Sequence, residues 1–111
     1  MQVYDTVNKL AKELKESEEY ANYKMAKQAI DLNPELKNKI AEFEKMRYEE
    51  QILAMQTGKS DEEKMKKVQE IYSSIVETDE GKKYFDAELK FNVLLGDVNR
   101  IISEAVKDVL I

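Results

Sequence analysis

Residues 79–111 read DEGKKYFDAELKFNVLLGDVNRIISEAVKDVLI, and this stretch decides the fold. Phe91, Leu95, Val98, Ile102, Ala105 and Val109 recur at spacings of four and three, and Leu94 and Ile101 widen the stripe. Apolar residues at that period share one face of an α-helix. Asp97, Arg100, Glu104 and Lys107 also fall three and four apart, on the other side of the wheel, and read as a solvated face. The pattern predicts one long amphipathic helix from Asp79 to the end of the chain. Its interaction seam comprises Phe91, Leu94, Leu95, Val98, Asn99, Ile101, Ile102 and Val109. That seam is wider than one or two helices of this chain need, so a homodimer that buries it through exchanged helix faces is expected.

Two features sit on the same helix. Glu88, Asn92 and Asn99 line the border of the seam. They form either a polar recognition line, including a hydrogen-bonded pair across a dimer axis, or short side chains that fix register or reach water. Gly96 lies mid-helix, where it costs about 1 kcal/mol relative to Ala. A close helix crossing or a bend would account for it, and close packing is the expectation.

Working back along the chain, the other segments are helical too. Val3, Val7, Leu10 and Leu14, with Tyr4 and Ala11 beside them, mark a first helix over about residues 3–15, a candidate partner for the similarly spaced C-terminal one. Ser17 before Glu18 and Glu19 is an N-cap followed by acid in the first turn, which opens a second helix with Tyr20, Tyr23, Ala26 and Ile30 on a weaker buried edge. Asn33-Pro34-Glu35 closes that helix and opens a third from Pro34 to about Thr57, with Leu36, Ile40, Phe43, Met46 and Leu53 on one line and Tyr48, Ile52 and Met55 beside it. Arg47 and Glu50 interrupt the first line. Met65, Val68, Tyr72 and Ile75 mark a fourth helix over about residues 61–76, and Thr78 or Asp79 caps the fifth. The expected fold is all-α: about five helices in one elongated bundle spanning residues 1–111, with the third and fifth helices as its backbone.

Thr57-Gly58-Lys59-Ser60 ends like a phosphate-binding loop, but that motif needs a glycine at position 53, which is Leu, and a preceding strand. Gly58 is better read as a left-handed helix stop, with Ser60 and Glu63 as a capping box.

Composition closes off most chemistry. The 111 residues are 42% hydrophobic and 37% charged, with 3 Gly and 1 Pro, a balance that favours helices in a single domain. The net charge of −5 argues against gripping nucleic acid through a general field. Lys64, Lys66, Lys67, Lys82 and Lys83 are interspersed with Glu62, Glu63, Glu70 and Glu80, and so read as solvated faces. There is no Cys and no His. This removes thiolate metal sites, iron–sulfur ligation and the usual base near neutral pH. A di-iron bundle would pair Glu with a His three residues on, which is impossible here. No catalytic residue, cofactor or metal ligand is therefore expected. Met25, Met46, Met55 and Met65 are spread over three helices; methionines can mark an adaptable groove, but at helical spacing they read as core. No leader pattern and no membrane-length apolar run is visible, so a cytoplasmic protein without membrane partners is expected.

The order of these pieces resembles the bacterial YlbF/YmcA family, which includes the YheA-type small helical proteins. The resemblance runs through Val3-Tyr4-Asp5 to Leu10 and Leu14, then Ser17-Glu18-Glu19-Tyr20 with Lys24, Ala26 and Lys27. Asn33-Pro34-Glu35 and Phe43 follow, and then Phe85, Glu88-Leu89, Leu94-Leu95 and Val98-Asn99-Arg100-Ile101-Ile102-Ser103. It covers nearly the whole chain as a pattern of helices and caps without a signature of chemistry. The resemblance implies an all-α protein that assembles through its helices and has no catalytic role. Better-studied relatives are cytoplasmic regulators of competence, sporulation and biofilm formation. They form complexes with sister proteins and act as adaptors for an endoribonuclease that matures and degrades messenger RNA. Some relatives supply Cys to iron–sulfur clusters; without Cys this chain cannot, which favours the YheA-like branch. The residues themselves leave open an alternative, a small-ligand- or RNA-binding helical module.

Overall fold

The computed structural model describes residues 2–110, which form five α-helices and no strand. They are α1 (Gln2–Lys15), α2 (Glu18–Asp31), α3 (Pro34–Thr57), α4 (Glu62–Val76) and α5 (Asp79–Val106). The boundaries follow local chemistry. Ser17 and Asn33 have extended backbones, and their side-chain oxygens accept from the N–H groups of Tyr20 (3.1 Å) and Leu36 (3.2 Å). Pro34 begins α3 where its missing N–H costs nothing. Gly58 ends α3 at φ 70°, a left-handed turn that a residue without Cβ adopts freely.

The start of α4 departs from the sequence reading. Asp61, not Ser60, is the N-cap, and its carboxylate accepts from Glu63 N–H (3.0 Å) and Lys64 N–H (3.3 Å). Glu50 of α3 explains the choice: its Oε1 accepts the Asp61 N–H at 3.0 Å and holds that residue at the helix entrance. A formal negative charge also suits the helix N-terminus better than a hydroxyl. Arg47, the other interruption of the α3 stripe, lies over the Phe43 ring at 5.2 Å.

The main pairing is α2 against α5, followed by α3 against α4, with α4 and α5 joined through the Glu77–Thr78 turn. This differs from the expected α3–α5 backbone. The weaker stripe of α2 carries aromatic rings, and ring area rather than stripe length sets how strongly a helix packs. The core contains Ile30, Leu36, Ile40, Phe43, Ile75 and Tyr84, packed around by Tyr23, Ala26, Val68, Ile71 and Phe85. It gathers where α2, α3, α4 and the first half of α5 meet.

Two ends of the chain lie outside this core. No residue of α1 is buried. The α5 helix stops at Val106, short of the predicted end, and residues 107–109 form a turn in which the Val109 N–H bonds to the Val106 carbonyl. No basic side chain lies in the last turn to offset the dipole, and Asp108 would place negative charge at its negative end if the helix continued. The result is flat and extended, 50 × 38 × 16 Å, with a radius of gyration of 17.8 Å. A compact chain of this length has roughly 13 Å.

The two glycines of α5 have opposite roles. A Cβ on Gly81 would overlap the Ile75 carbonyl and side chain and the Thr78 hydroxyl, so Gly81 lets α5 start directly against the end of α4. A Cβ added at Gly96 would meet no atom within 4 Å beyond its neighbours in the helix itself, so the expected close crossing is not supplied within one copy. Gly81→Ala should therefore lower unfolding stability by about 1–3 kcal/mol through overpacking. Gly96→Ala should raise it by about 1 kcal/mol through helix propensity. Urea unfolding of the two variants checks both signs.

Candidate interaction surface

The α2–α5 seam is built from rings. Tyr20 meets Phe91 edge-on at 5.9 Å between centroids, and Tyr23 meets Phe91 and Tyr84, each at 5.8 Å. On the other side of α5, Phe85 meets Phe43 (5.4 Å) and Tyr72 (5.1 Å). Such pairs add about 0.5–1.5 kcal/mol each beyond their buried area. Two tyrosine hydroxyls tie this layer to carboxylates across helices. Tyr23 Oη donates to Glu88 Oε2, and Tyr84 Oη donates to Glu44 Oε1, both at 3.3 Å. Lys27 lies over the Tyr23 ring at 5.2 Å. Glu88 thus serves as an internal anchor, whereas Asn92 and Asn99, expected on the same polar line, are exposed.

Burial pushes both phenols above the ordinary tyrosine value of 10.0. For Tyr23 the Tyr84 hydrogen bond pulls the other way and Glu88 adds to the rise; for Tyr84 its Tyr23 neighbour and then Glu44 add to it. The two groups therefore ionise more readily in the unfolded chain.

A groove runs along one side of the seam. It consists of two adjoining open clefts of about 570 and 470 Å³ that share Asn22, Ala87 and Lys90. Ala26, Ala29 and Ala87 keep the bottom shallow, and Met25, Leu89 and Val93 stand beside it with much of their apolar surface exposed. One end is rimmed by Glu18, Glu19 and Asp97; Glu80, Lys83 and Asp86 border the other. Met55 and Met65 are exposed as well, so the reading of the methionines as core holds at most for half-buried Met46. The basic residues considered for phosphate contact, Lys64, Lys66, Lys67, Lys82 and Lys83, are exposed. One buried polar atom among the described residues has no partner, Glu50 Oε2, and it lines neither cleft.

The residues of the predicted seam divide at the first turn of α2. Phe91, Leu94 and Val98 are half-buried, and Phe91 is the residue that rests on Tyr20 and Tyr23. Leu95 is 36% exposed, Ile102 51% and Ile101 62%; Asn99 is exposed, and Val109 lies exposed beyond the helix. The arrangement does not bring them into one covered site. Asp97–Arg100 (3.7 Å) and Glu104–Lys107 (3.2 Å) pair along the outer face, as its spacing predicted. The groove itself escaped the sequence reading. Leu89 and Val93 lie four apart, but an outward two-residue stripe cannot be recognised until the covered face of α5 is known.

A family model described as control of competence regulator ComK, YlbF/YmcA, matches residues 3–107. The chain belongs to the YlbF/YmcA family. Similar members are called UPF0342 proteins. One from Clostridium novyi is 35% identical over 108 residues, covering 97% of this chain and 95% of the relative. One from Symbiobacterium thermophilum is 33% identical over 104 residues, covering 94% and 93%. One from Desulfitobacterium hafniense is 28% identical over 110 residues, covering 99% and 89%. The family is described by a regulatory role and not by a reaction. No helix among the described residues of this member is long and apolar enough to cross a membrane.

The raised phenols make alkaline pH a probe of the α2–α5 seam. Their contribution to stability is complete below pH 10 and is lost as pH rises above 10 toward the folded values. Tyr84→Phe should lower stability at neutral pH by about 0.5–1.5 kcal/mol, the worth of one hydrogen bond, and should make the loss above pH 10 shallower. Chemical unfolding of both forms at several pH values measures the difference.

Proposed function

We propose that this chain is a non-catalytic regulatory adaptor that works in the cytoplasm by binding other proteins. The observation that carries this reading is the α2–α5 groove, where Met25, Leu89 and Val93 present apolar surface beside an alanine floor. Exposed apolar surface lined up along a groove favours a macromolecular partner, and a flexible Met at its wall suits an adaptable contact. The groove follows α5 from Glu80 to Asp97, a length of roughly 25 Å at 1.5 Å per residue, which fits an amphipathic helix of a partner. The family description, control of a competence regulator, supports regulation in bacterial developmental control. The resemblance to adaptor members supports sister proteins and an endoribonuclease of messenger RNA as the partners to seek.

The test is affinity capture of the tagged chain from its native cytoplasm, with and without ribonuclease, beside Val93→Asp. Recovery of a sister protein or an endoribonuclease in both samples, reduced at least tenfold by Val93→Asp with folding retained, would support the adaptor reading. Partners that vanish with ribonuclease would favour RNA binding instead. Recovery of this chain alone would remove the adaptor reading.

A further inference from the structure

The groove between α2 and α5 is unevenly charged along its length. Over the part nearer the start of α5, Glu80 and Asp86 are matched by Lys83 and Lys90. Beyond Lys90 the lining contains no base: Glu18 and Glu19 come from the first turn of α2, and Asp97 from α5. Asp97 pairs with Arg100 at 3.7 Å, whereas Glu18 and Glu19 have no ion-pair partner among the described residues. Glu19 is half-buried as well.

The place of these two carboxylates in α2 accounts for part of their charge. A helix N-terminus carries about half a positive charge and favours acid in its first turn. With Asp97 offset by Arg100, roughly one and a half negative charges remain at this end of the groove. The exposed apolar surface of Leu89 and Val93 lies beside them in the same cleft. Covering that surface dehydrates the carboxylates further, which is costly unless the covering molecule brings a cation. A phosphate backbone or another anionic ligand would add like charge here, and the net charge of −5 opposes it at longer range. The occupant therefore combines an apolar stripe with one cationic end.

We infer that the groove takes an amphipathic helix of another protein whose last turn is rich in Lys or Arg, with that turn against Glu18, Glu19 and Asp97. The direction follows from two dipole arguments. Cations stabilise a helix at its own C-terminus, so a basic last turn suits the partner before it binds. Placed this way, the partner runs antiparallel to α2 and sets its negative end beside the positive end of α2. The inference rests on the adaptor reading and adds the chemistry and direction of the partner. The span from Glu80 to Asp97 sets the docked length at about 17 residues.

A phage-displayed library tests this on the full chain, with peptides of about 17 residues that fix Leu and Ala at helical spacing and randomise every other position. Selected peptides should be enriched in Lys and Arg in the last turn and not in the first. Selection should fail against Val93→Asp that retains its helical circular dichroism. By fluorescence anisotropy at low salt, the strongest peptide should bind the double variant Glu18→Gln and Glu19→Gln about fivefold more weakly than the wild type. That difference should shrink at high salt. Asp97→Asn should weaken binding in the same direction, and it leaves the first turn of α2 intact. Glu70→Gln, on α4, should leave binding unchanged. Val93-dependent peptides with neutral, acidic or first-turn basic residues would overturn the inference while leaving the adaptor groove standing. Equal, salt-insensitive binding to the wild type and the double variant would overturn it too. Absence of any Val93-dependent peptide would remove both readings, and a change of mass on Val93→Asp in light scattering would then assign the groove to a second copy.

Discussion

Tyr84 and Phe85 are adjacent on α5, and the helix turns their side chains about 100° apart, so the two rings meet different neighbours. Tyr84 reaches Tyr23 of α2 and Glu44 of α3, while Phe85 packs on Phe43 of α3 and Tyr72 of α4. This divided pair joins the two helical layers. It can do so only because α5 begins hard against α4, with Gly81 against the Ile75 carbonyl and Thr78 closing the turn: the Thr78 hydroxyl donates to that carbonyl and accepts the Gly81 N–H. Were α5 to start farther away, the rings would miss both sets of partners.

Concentrating the core at that junction has a cost elsewhere. The aromatic residues are used around the first half of α5, and little of this chain remains to cover α1 or the last turns of α5. The chain is accordingly flat, with a small core and much apolar surface. In a regulator family such a distribution is physically sensible, since rigid rings position the helices while the uncovered faces remain available for contacts. The groove beside Met25 and Val93 and the uncovered turns beyond Leu94 are separate consequences of one uneven division of apolar residues.

Much of the local structure was legible from short motifs. Ser17, Asn33-Pro34 and Gly58 act through their own side chains or backbone freedom, so their roles depend little on distant residues. The cap of α4 is not legible from its own motif, because Glu50, eleven residues upstream, takes the Asp61 N–H and selects Asp61 over Ser60. The importance of α2 was underestimated for a related reason: Tyr20 and Tyr23 make a thin stripe by count, and their worth depends on Phe91 and Tyr84 lying opposite. Exposed Met25, Met55 and Met65 show the limit of periodicity, which tells that residues share a face and not whether the face is covered.

The sequence by itself determined that this is a five-helix chain without the thiols or imidazoles of common catalytic sites, and it carried enough of the helix and cap order to place it in the YlbF/YmcA family. Those properties reside in residue types and in spacings within one helical turn or one cap. The tertiary structure decided which stripes became core, that α2 rather than α3 is the main partner of α5, and that the long apolar line of α5 is covered only as far as α2 reaches. Covering is a relation between segments far apart in the chain. It depends on the length and direction of the opposing helix, which no periodicity within α5 can encode.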